Sequence, residues 1–574
     1  MRREAPSLRE RVARLRRRTG APSLQGGFAL ALLLLVFLLA RYVRAGSFGW
    51  YEDDLTIIPQ AVAMEPGQLL TSIGSYIANL HGHARPLSNS MIYLFSNLGW
   101  RIAGLAGPYL IGFLIEAANI VLFYALIRLV WGARLAFLAG LAYVLFSADT
   151  TQAFLTHSLG LQPSITMLLL AFHAYLSKRW LPAYLLAFLI LFSYETPFPV
   201  FLAVPLFERT DRRTLVRRAM IHAAILAAML AVAYGVRAWV GEERVTGQPI
   251  SSLLLSSMTH MAVGPVVSLG TYAYRPLQAL ASGSNSVLLL AVIGILVIVT
   301  GLGLQDRAAA GPGQSADGIR AYLHPIGVGM VMLILAYALA LTARPYAISG
   351  RDTRVHSAAV VGAALVVGAL MGTARDLAAG RRSRAVVLWG MSIWLGLMIG
   401  FGLMVQQDYV RAWELQRSFW RDLLPQVQDA GEGTVVIVDP AGLTDTEQIG
   451  ANTWNLPRVL ERLYRMPSDW KVPPRVYRGL AEWREYLILP DGSLRIDGDT
   501  TQAPLGEHTI TDWDHLIVIH TGQGVVRRKE PLVIDAVDYP LVETGSPILA
   551  RLPRLVLYDL LVGTDGALPA AVPP

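Results

Sequence analysis

Residues 27–54 read GFALALLLLVFLLARYVRAGSFGWYEDD. The first half is an unbroken apolar run from Gly27 to Ala40, and eight arginines lie before it between Arg2 and Arg18. A basic stretch followed by an apolar one also opens a secretory leader. Here Ala40-Arg41-Tyr42 offers no small-residue cleavage site and many apolar runs follow, so the run reads as an uncleaved first membrane span. Arginine-rich flanks stay cytoplasmic. The chain therefore emerges on the far side, and the first carboxylates it presents there are Glu52, Asp53 and Asp54.

Working outward, apolar runs recur near 109–127, 135–148, 161–177, 181–193, 196–207, 218–239, 285–304, 322–341, 355–374 and 385–406, making about eleven with the first. Several fall short of the ~20 residues a perpendicular span needs. The pair between 181 and 207 lies between Lys178-Arg179 and a group of five arginines, Arg209, Arg212, Arg213, Arg217 and Arg218. Both flanks read as cytoplasmic, so this segment goes in and comes back, with its apex at Tyr194-Glu195-Thr196-Pro197. Cytoplasmic segments are then 1–26, 128–134, 178–180, 208–218, 305–321 and 375–384. Outside segments are 46–108, 149–160, 240–284, 342–354 and everything after about 407. Residues 88–105, where Asn89, Ser96, Asn97 and Arg101 interrupt the apolar pattern, read as a helix on the membrane surface. Gly311-Pro312-Gly313 reads as a linker.

Composition agrees with this class. Hydrophobic residues make up 54% of 574 and charged residues 16%, against roughly 25% charged in soluble domains. A soluble fold cannot hide that much apolar sequence, and a disordered chain would not contain it. The absence of cysteine removes disulfides, thiolate zinc sites and cysteine nucleophiles. The net charge of +8 is a sum of opposites: residues 407–574 hold 16 basic and 24 acidic side chains (−8), leaving 33 and 17 (+16) for 1–406. Basic residues between apolar runs point to anionic membrane lipid and not to nucleic acid as the partner.

The expected fold is therefore a polytopic α-helical membrane protein in three parts: a basic cytoplasmic N-terminus (1–26), a transmembrane domain (27–406) carrying the outside loop 46–108, and an extracytoplasmic domain (407–574). In the last, Val435-Val436-Ile437-Val438 and Leu516-Ile517-Val518-Ile519 are short β-like runs. Tyr486–Leu489 and Leu494–Ile496 flank the turn signal Pro490-Asp491-Gly492-Ser493. The domain reads as α/β or mostly β and has no catalytic signature of its own.

Chemistry gathers in the outside loops. A carboxylate at a membrane interface can take the proton of an incoming hydroxyl, hold a divalent cation or pair with a basic side chain such as Arg85. Asp53 or Asp54 can equally start the helix that runs on from Leu55. His81 and His83 lie later in the same loop without a metal-ligand spacing. Arg344, Arg351, Arg354 and His356 crowd another outside loop, where arginine is normally scarce; a guanidinium fork suits phosphate oxygens. Arg275, within Tyr274-Arg275-Pro276, is a weaker candidate for the same role. Glu116 and Glu195 sit in or beside apolar runs, where ionisable groups are functional candidates by default, and Glu195 is also a candidate structural partner for an arginine. No nucleotide-binding glycine loop, nucleophile elbow or His-Glu-x-x-His is present.

The order of these features resembles the GT-C superfamily of membrane glycosyltransferases, which includes the protein O-mannosyltransferases and the lipid A aminoarabinose transferases. The matching residues are Glu52-Asp53-Asp54 at the opening of the first outside loop, Arg85-Pro86-Leu87, the 88–105 helix and Gly107-Pro108-Tyr109. Glu116 and Asn119 follow in the next span, then Ser193-Tyr194-Glu195. The match covers about 46–210, and the later spans only by layout. The resemblance implies transfer of a sugar from a polyprenyl-phosphate carrier to an extracytoplasmic acceptor hydroxyl of a glycan, lipid or protein, with inversion, at a bacterial inner membrane. It implies a base among Asp53, Asp54 and Glu52, in that order. It also implies substrate contacts from Arg85, Tyr194, Glu195, Glu116 and Arg275, and from Arg351, Arg354 and His356 on the donor phosphate. Hydropathy alone also allows a transporter or flippase of lipid-linked glycans, or a non-catalytic envelope scaffold. The scaffold gains weight only if the acidic triplet and the arginine loop lie far apart.

Overall fold

A computed structural model describes residues 24–563 except 81–83, 209, 243–248, 283–293, 295–296, 298–319, 342–343, 379, 452–455, 480–485, 489–493, 498–507, 512, 523, 535–536, 540 and 542–544. The His81-Gly82-His83 segment, the Gly311 linker, the Pro490 turn and nearly all of the 285–304 run therefore lie outside the described residues.

The helices are α1 (Leu24–Phe37), α2 (Asp54–Ala63), α3 (Pro66–Ala78), α4 (Pro86–Ala103), α5 (Ala106–Trp131), α6 (Ala133–Val144), α7 (Leu155–Gly160), α8 (Gln162–Leu176) and α9 (Trp180–Ser193). They continue with α10 (Arg212–Trp239), α11 (Ile250–Ala281), α12 (Arg320–Leu335), α13 (Val360–Leu377), α14 (Arg381–Leu423), α15 (Leu456–Leu463) and α16 (Val556–Val562), with 3₁₀ turns at Phe198–Phe207 and Arg351–Ala359. Among the described residues, seven helices are long and apolar enough to cross a membrane: Gly26–Ser47, Ala106–Trp131, Leu155–Leu176, Arg212–Trp239, Ile250–Ala281, Arg351–Leu377 and Arg381–Val427. Apolar faces without protein cover, such as Leu110, Leu114 and Val121 on α5, are compatible with placement in a bilayer.

Local sequence sets the joints. Pro86 occupies the first turn of α4, where its missing N–H costs nothing, and Gly104 ends the helix at φ +55. Gly99 and Gly107 then let α4 and α5 touch backbone to backbone, since a Cβ on Gly107 would overlap the Gly99 carbonyl. Gly329 on α12 and Gly362 on α13 make the same kind of contact, the small-residue packing favoured where apolar burial cannot drive helix association.

The bundle has two distinguishable ends. At one, Arg134 pairs with Asp376 at 3.6 Å, and Glu208 is held by Lys178 and Arg218. At the other, residues 48–54 pack against α14 and the start of α7. Within the segment 240–284, read in the sequence as outside, 32 residues form the single helix α11, about 48 Å long at 1.5 Å per residue. Its partners lie toward the 48–54 end of the bundle: Ser257 bonds to Ala338 O (2.8 Å), Tyr272 to Ala142 O (2.6 Å), and Gln278 to Glu447 (3.2 Å).

After α14 the chain forms a four-stranded sheet in the order β2-β1-β6-β7, from Arg475–Arg478, Val435–Val438, Leu516–His520 and Val526–Arg527, with β2 and β6 parallel to the central β1. β1 is buried along its whole length, as expected for a parallel strand covered on both faces. A separate three-stranded sheet joins β3 (Tyr486–Ile488), β4 (Leu494–Asp497) and β5 (His508–Thr511) antiparallel, so the strands expected on either side of the Pro490 turn do pair.

Candidate active site

The loop that carries the triplet is fixed from below. Tyr109, from the Gly107-Pro108-Tyr109 element, donates its hydroxyl to Gly49 O and Ala153 O. Tyr51 donates to Tyr409 O (2.9 Å), and Gln416 donates to Trp50 O (3.0 Å), which ties the loop to α14. Glu52 then takes φ +48, a left-handed conformation that costs a residue with a Cβ about 1–2 kcal/mol. The kink sends three successive carboxylates to different neighbours.

Asp54 turns inward and is fully buried. Its carboxylate accepts from Leu155 N and Thr156 N, both at 2.9 Å, and so caps the start of α7 from another part of the chain. Burial pushes its carboxyl up to about 7, although the two backbone N–H groups pull the other way. A capping role was one of the readings open for Asp53 or Asp54, but the helix capped is α7 and not α2, a pairing 101 residues apart. Glu52 and Asp53 both face Arg351, at 3.5 and 2.5 Å. Glu52 is 5% exposed, whereas the Asp53 side chain is 43% exposed. Asp53 is thus the carboxylate of the three that an incoming molecule can reach, and the cation facing it is a guanidinium.

Arg351 opens the 3₁₀ turn directly after Gly350, whose φ of +70 suits glycine. Thr353 donates to Gly350 O (2.7 Å) and accepts from Thr150 N (3.1 Å). Gln448, from the loop after β1, accepts from Gly350 N (3.0 Å) and from the Thr150 hydroxyl (2.6 Å). One helical turn on, Arg354 approaches His157 at 3.5 Å. His157 lies in α7 and is buried against Phe154. The Asp54 cap therefore positions the helix that presents His157 to Arg354.

A second charged group centres on Glu195. Arg85 Nε donates to Glu195 Oε2 at 2.9 Å, and a second guanidinium nitrogen to Oε1. Arg237 donates to the same carboxylate and to Leu191 O, both at 3.0 Å. Burial alone would raise the Glu195 carboxyl, but the two arginine charges outweigh it and hold it at about 2. The Arg85 guanidinium also lies 4.5 Å above the Tyr194 ring. Arg85 was expected to steer the acidic triplet; the structure places it on Glu195, which takes the part of arginine partner foreseen as its alternative.

Three expected substrate contacts turn away from the site. His356 is fully buried, between Tyr337 Oη (2.6 Å) and Ala347 O (2.8 Å). The Arg275 side chain is also fully buried, bonded to Ile348 O and Gln278 and set against the Phe401 ring. Glu116 accepts from Tyr42 Oη at 2.7 Å inside the bundle, while Asn119 joins α5 to Thr166 at 2.6 Å. Each has structural partners where a ligand would be needed. Two contributors went unread in the sequence. Gln448 sits in a loop with no motif around it. Asp149, which accepts from Thr151 (2.6 Å) and Ser357 (2.7 Å), does follow an apolar run at the same end of the bundle, and that position was a usable signal.

Among the described residues, no group of three or more His, Asp or Glu is arranged to hold a metal ion. Comparison of the chain with protein-family models, curated proteins and solved structures gives no match.

Proposed function

We propose that this protein is an integral membrane glycosyltransferase that moves a sugar from a polyprenyl-phosphate carrier to the hydroxyl of a glycan, lipid or protein acceptor. The observation that carries the reading is the contact of Arg351 with Glu52 and Asp53. It joins the first acidic loop to the later arginine loop across 298 residues of sequence. A scaffold gives no reason for this convergence, and a transporter would place its charges along a path between helices and not at one end of them.

In the proposed reaction Asp53 accepts the proton of the acceptor hydroxyl. The freed oxygen attacks the sugar C1, and the C1–O bond to the lipid phosphate breaks with its electron pair leaving on the phosphate. Arg354 receives that charge, with Arg351 shared between phosphate and carboxylates. In-line displacement inverts C1. Glu52 holds Arg351 in place, and Asp54, through α7, holds His157 against Arg354. The test is transfer by the purified full chain in nanodiscs, with radiolabelled polyprenyl-phosphate sugars as donors. General-base catalysis is worth about 10²–10⁴-fold, so Asp53→Asn is expected to lose that factor at unchanged expression. Full activity in Asp53→Asn overturns the assignment.

A further inference from the structure

A cavity of about 380 Å³ opens at the same end of the bundle, among α14, the end of α11 and Arg44 beyond the first helix. It shares no lining residue with the triplet, Arg351 or Arg354. Its inner wall is apolar, built by Leu397, Phe401 and Met404, with Gly396 and Gly400 one helical turn apart between them. Its rim carries two arginines, Arg44 and Arg411, both exposed. Among the described residues neither guanidinium has an ion pair or hydrogen bond; Arg44 bonds through its backbone alone, its N–H donating to Gln406 and its C=O accepting from Ser47 N, both at 2.9 Å. The rim carboxylates are engaged elsewhere. Asp408 accepts from Gln448 N at 2.8 Å, and Glu447 faces Gln278 and Arg275 at 3.2 and 3.9 Å.

Two cations without partners among the described residues, above an apolar strip, match an amphiphile. A free anion would leave the strip unfilled, and a soluble sugar would leave the cations unmatched. Basic pockets between membrane helices on the cytoplasmic side recognise anionic lipid headgroups by charge, the same chemistry serves at the end that carries the acidic triplet, and the volume falls within the ~300–1,000 Å³ of small-molecule sites. We propose that this cavity binds one anionic phospholipid, with its headgroup phosphate between Arg44 and Arg411 and the start of an acyl chain along Gly396–Gly400. The lipid joins the first helix to α14. It also abuts Gln448, the residue that holds Gly350 beside Arg351, so occupancy steadies the arginine loop. The inference stands apart from the glycosyl-transfer reading, because its test reads lipid binding alone.

The full chain is delipidated in detergent and titrated by native mass spectrometry with phosphatidylglycerol, phosphatidylcholine of the same chains, farnesyl phosphate and inorganic phosphate. The expected result is one phosphatidylglycerol retained at least tenfold more tightly than phosphatidylcholine. Arg44→Gln with Arg411→Gln is expected to abolish that preference. Met404→Trp, which fills the strip without touching charge, is expected to weaken phosphatidylglycerol by a similar factor. Three results overturn the proposal: equal retention of the two phospholipids, displacement by inorganic phosphate alone, or a preference that survives the double arginine variant. Tighter binding of farnesyl phosphate overturns it as well, by giving the cavity to a prenyl carrier.

Discussion

Asp53 and Asp54 are neighbours in sequence with opposite surroundings, and their Asn variants should fail in different ways. In Asp54→Asn one carboxylate oxygen becomes an NH₂. The two backbone N–H groups that now reach 2.9 Å to separate oxygens then share one acceptor, and the other meets a donor. Leaving a buried N–H unsatisfied costs about 1–3 kcal/mol, or roughly 5- to 150-fold in a local opening equilibrium at RT near 0.59 kcal/mol. Hydrogen exchange measured on peptides covering Leu155–Gly160 should accelerate by that factor. The same peptides in Asp53→Asn should exchange at the wild-type rate, because the Asp53 carboxylate touches Arg351 and not α7. Transfer should behave in reverse order, with Asp53→Asn losing the larger share. The pH dependence adds a check. With the Asp54 carboxyl raised by burial from its usual 3.8 to about 7, the folded chain keeps a proton that the unfolded chain releases. Stability from this group is therefore greatest below about pH 4 and falls as pH rises to about 7, by at most about 4 kcal/mol at 1.36 kcal/mol per pH interval. That slope should vanish in Asp54→Asn. Unchanged exchange at Leu155 and Thr156 in Asp54→Asn would refute the capping role outright.

Other perturbations test the supporting contacts. Glu195 has the opposite sign: its carboxyl is held at about 2, so its contribution is present above the usual value of 4.5 and is lost as pH falls from there toward 2. Glu195→Gln should flatten acid unfolding in that window, followed by tryptophan fluorescence, and an unchanged profile would exclude Glu195 as a source of acid sensitivity. Arg351→Gln leaves the buried Glu52 carboxylate without this guanidinium. Removing one partner of a fully buried pair costs about 3–5 kcal/mol, and the loss here should be smaller because Arg351 is 34% exposed; limited proteolysis of the 46–54 loop should rise, with Arg351→Lys intermediate. Gly107→Ala forces a methyl into the Gly99 carbonyl and should lower thermal stability in detergent by about 1–3 kcal/mol, the usual cost of overpacking. Wild-type stability there would show that α4 and α5 can part without penalty.

What the sequence revealed follows the range of the forces involved. Apolar runs mark spans because a bilayer demands about 20 consecutive residues with internally satisfied backbone, and the long helices at 106–131, 212–239 and 381–423 lie where those runs are. The 88–105 helix is legible for a local reason as well, Pro86 at its start and Gly104 at its end. Helix α11 is apolar enough to be marked by composition but falls in a segment read as outside, and its partners Ala142, Ala338 and Glu447 are supplied by distant segments. The same limit governs the site. The arginine loop stood out by its charge, and the acidic triplet by its position after the first span. Nothing local could show that Asp54 would spend its carboxylate on α7, or that Arg85 would choose Glu195.

This division narrows the chemistry. The resemblance ranks Asp53, Asp54 and Glu52 as bases in that order, and the positive φ at Glu52 gives the three carboxylates different surroundings. One carboxylate caps a helix, one is buried against Arg351, and one remains open beside the same guanidinium. In the proposed reaction, an arriving donor phosphate would draw Arg351 away from Asp53 and so tie proton removal to departure of the leaving group. Arg351→Lys separates this coupling from simple anchoring. A single ammonium can neutralise Asp53 but cannot face the carboxylates and a phosphate with separate nitrogens, so kcat should fall by at least tenfold while the donor KM changes little. Equal loss in both would reduce Arg351 to a phosphate anchor.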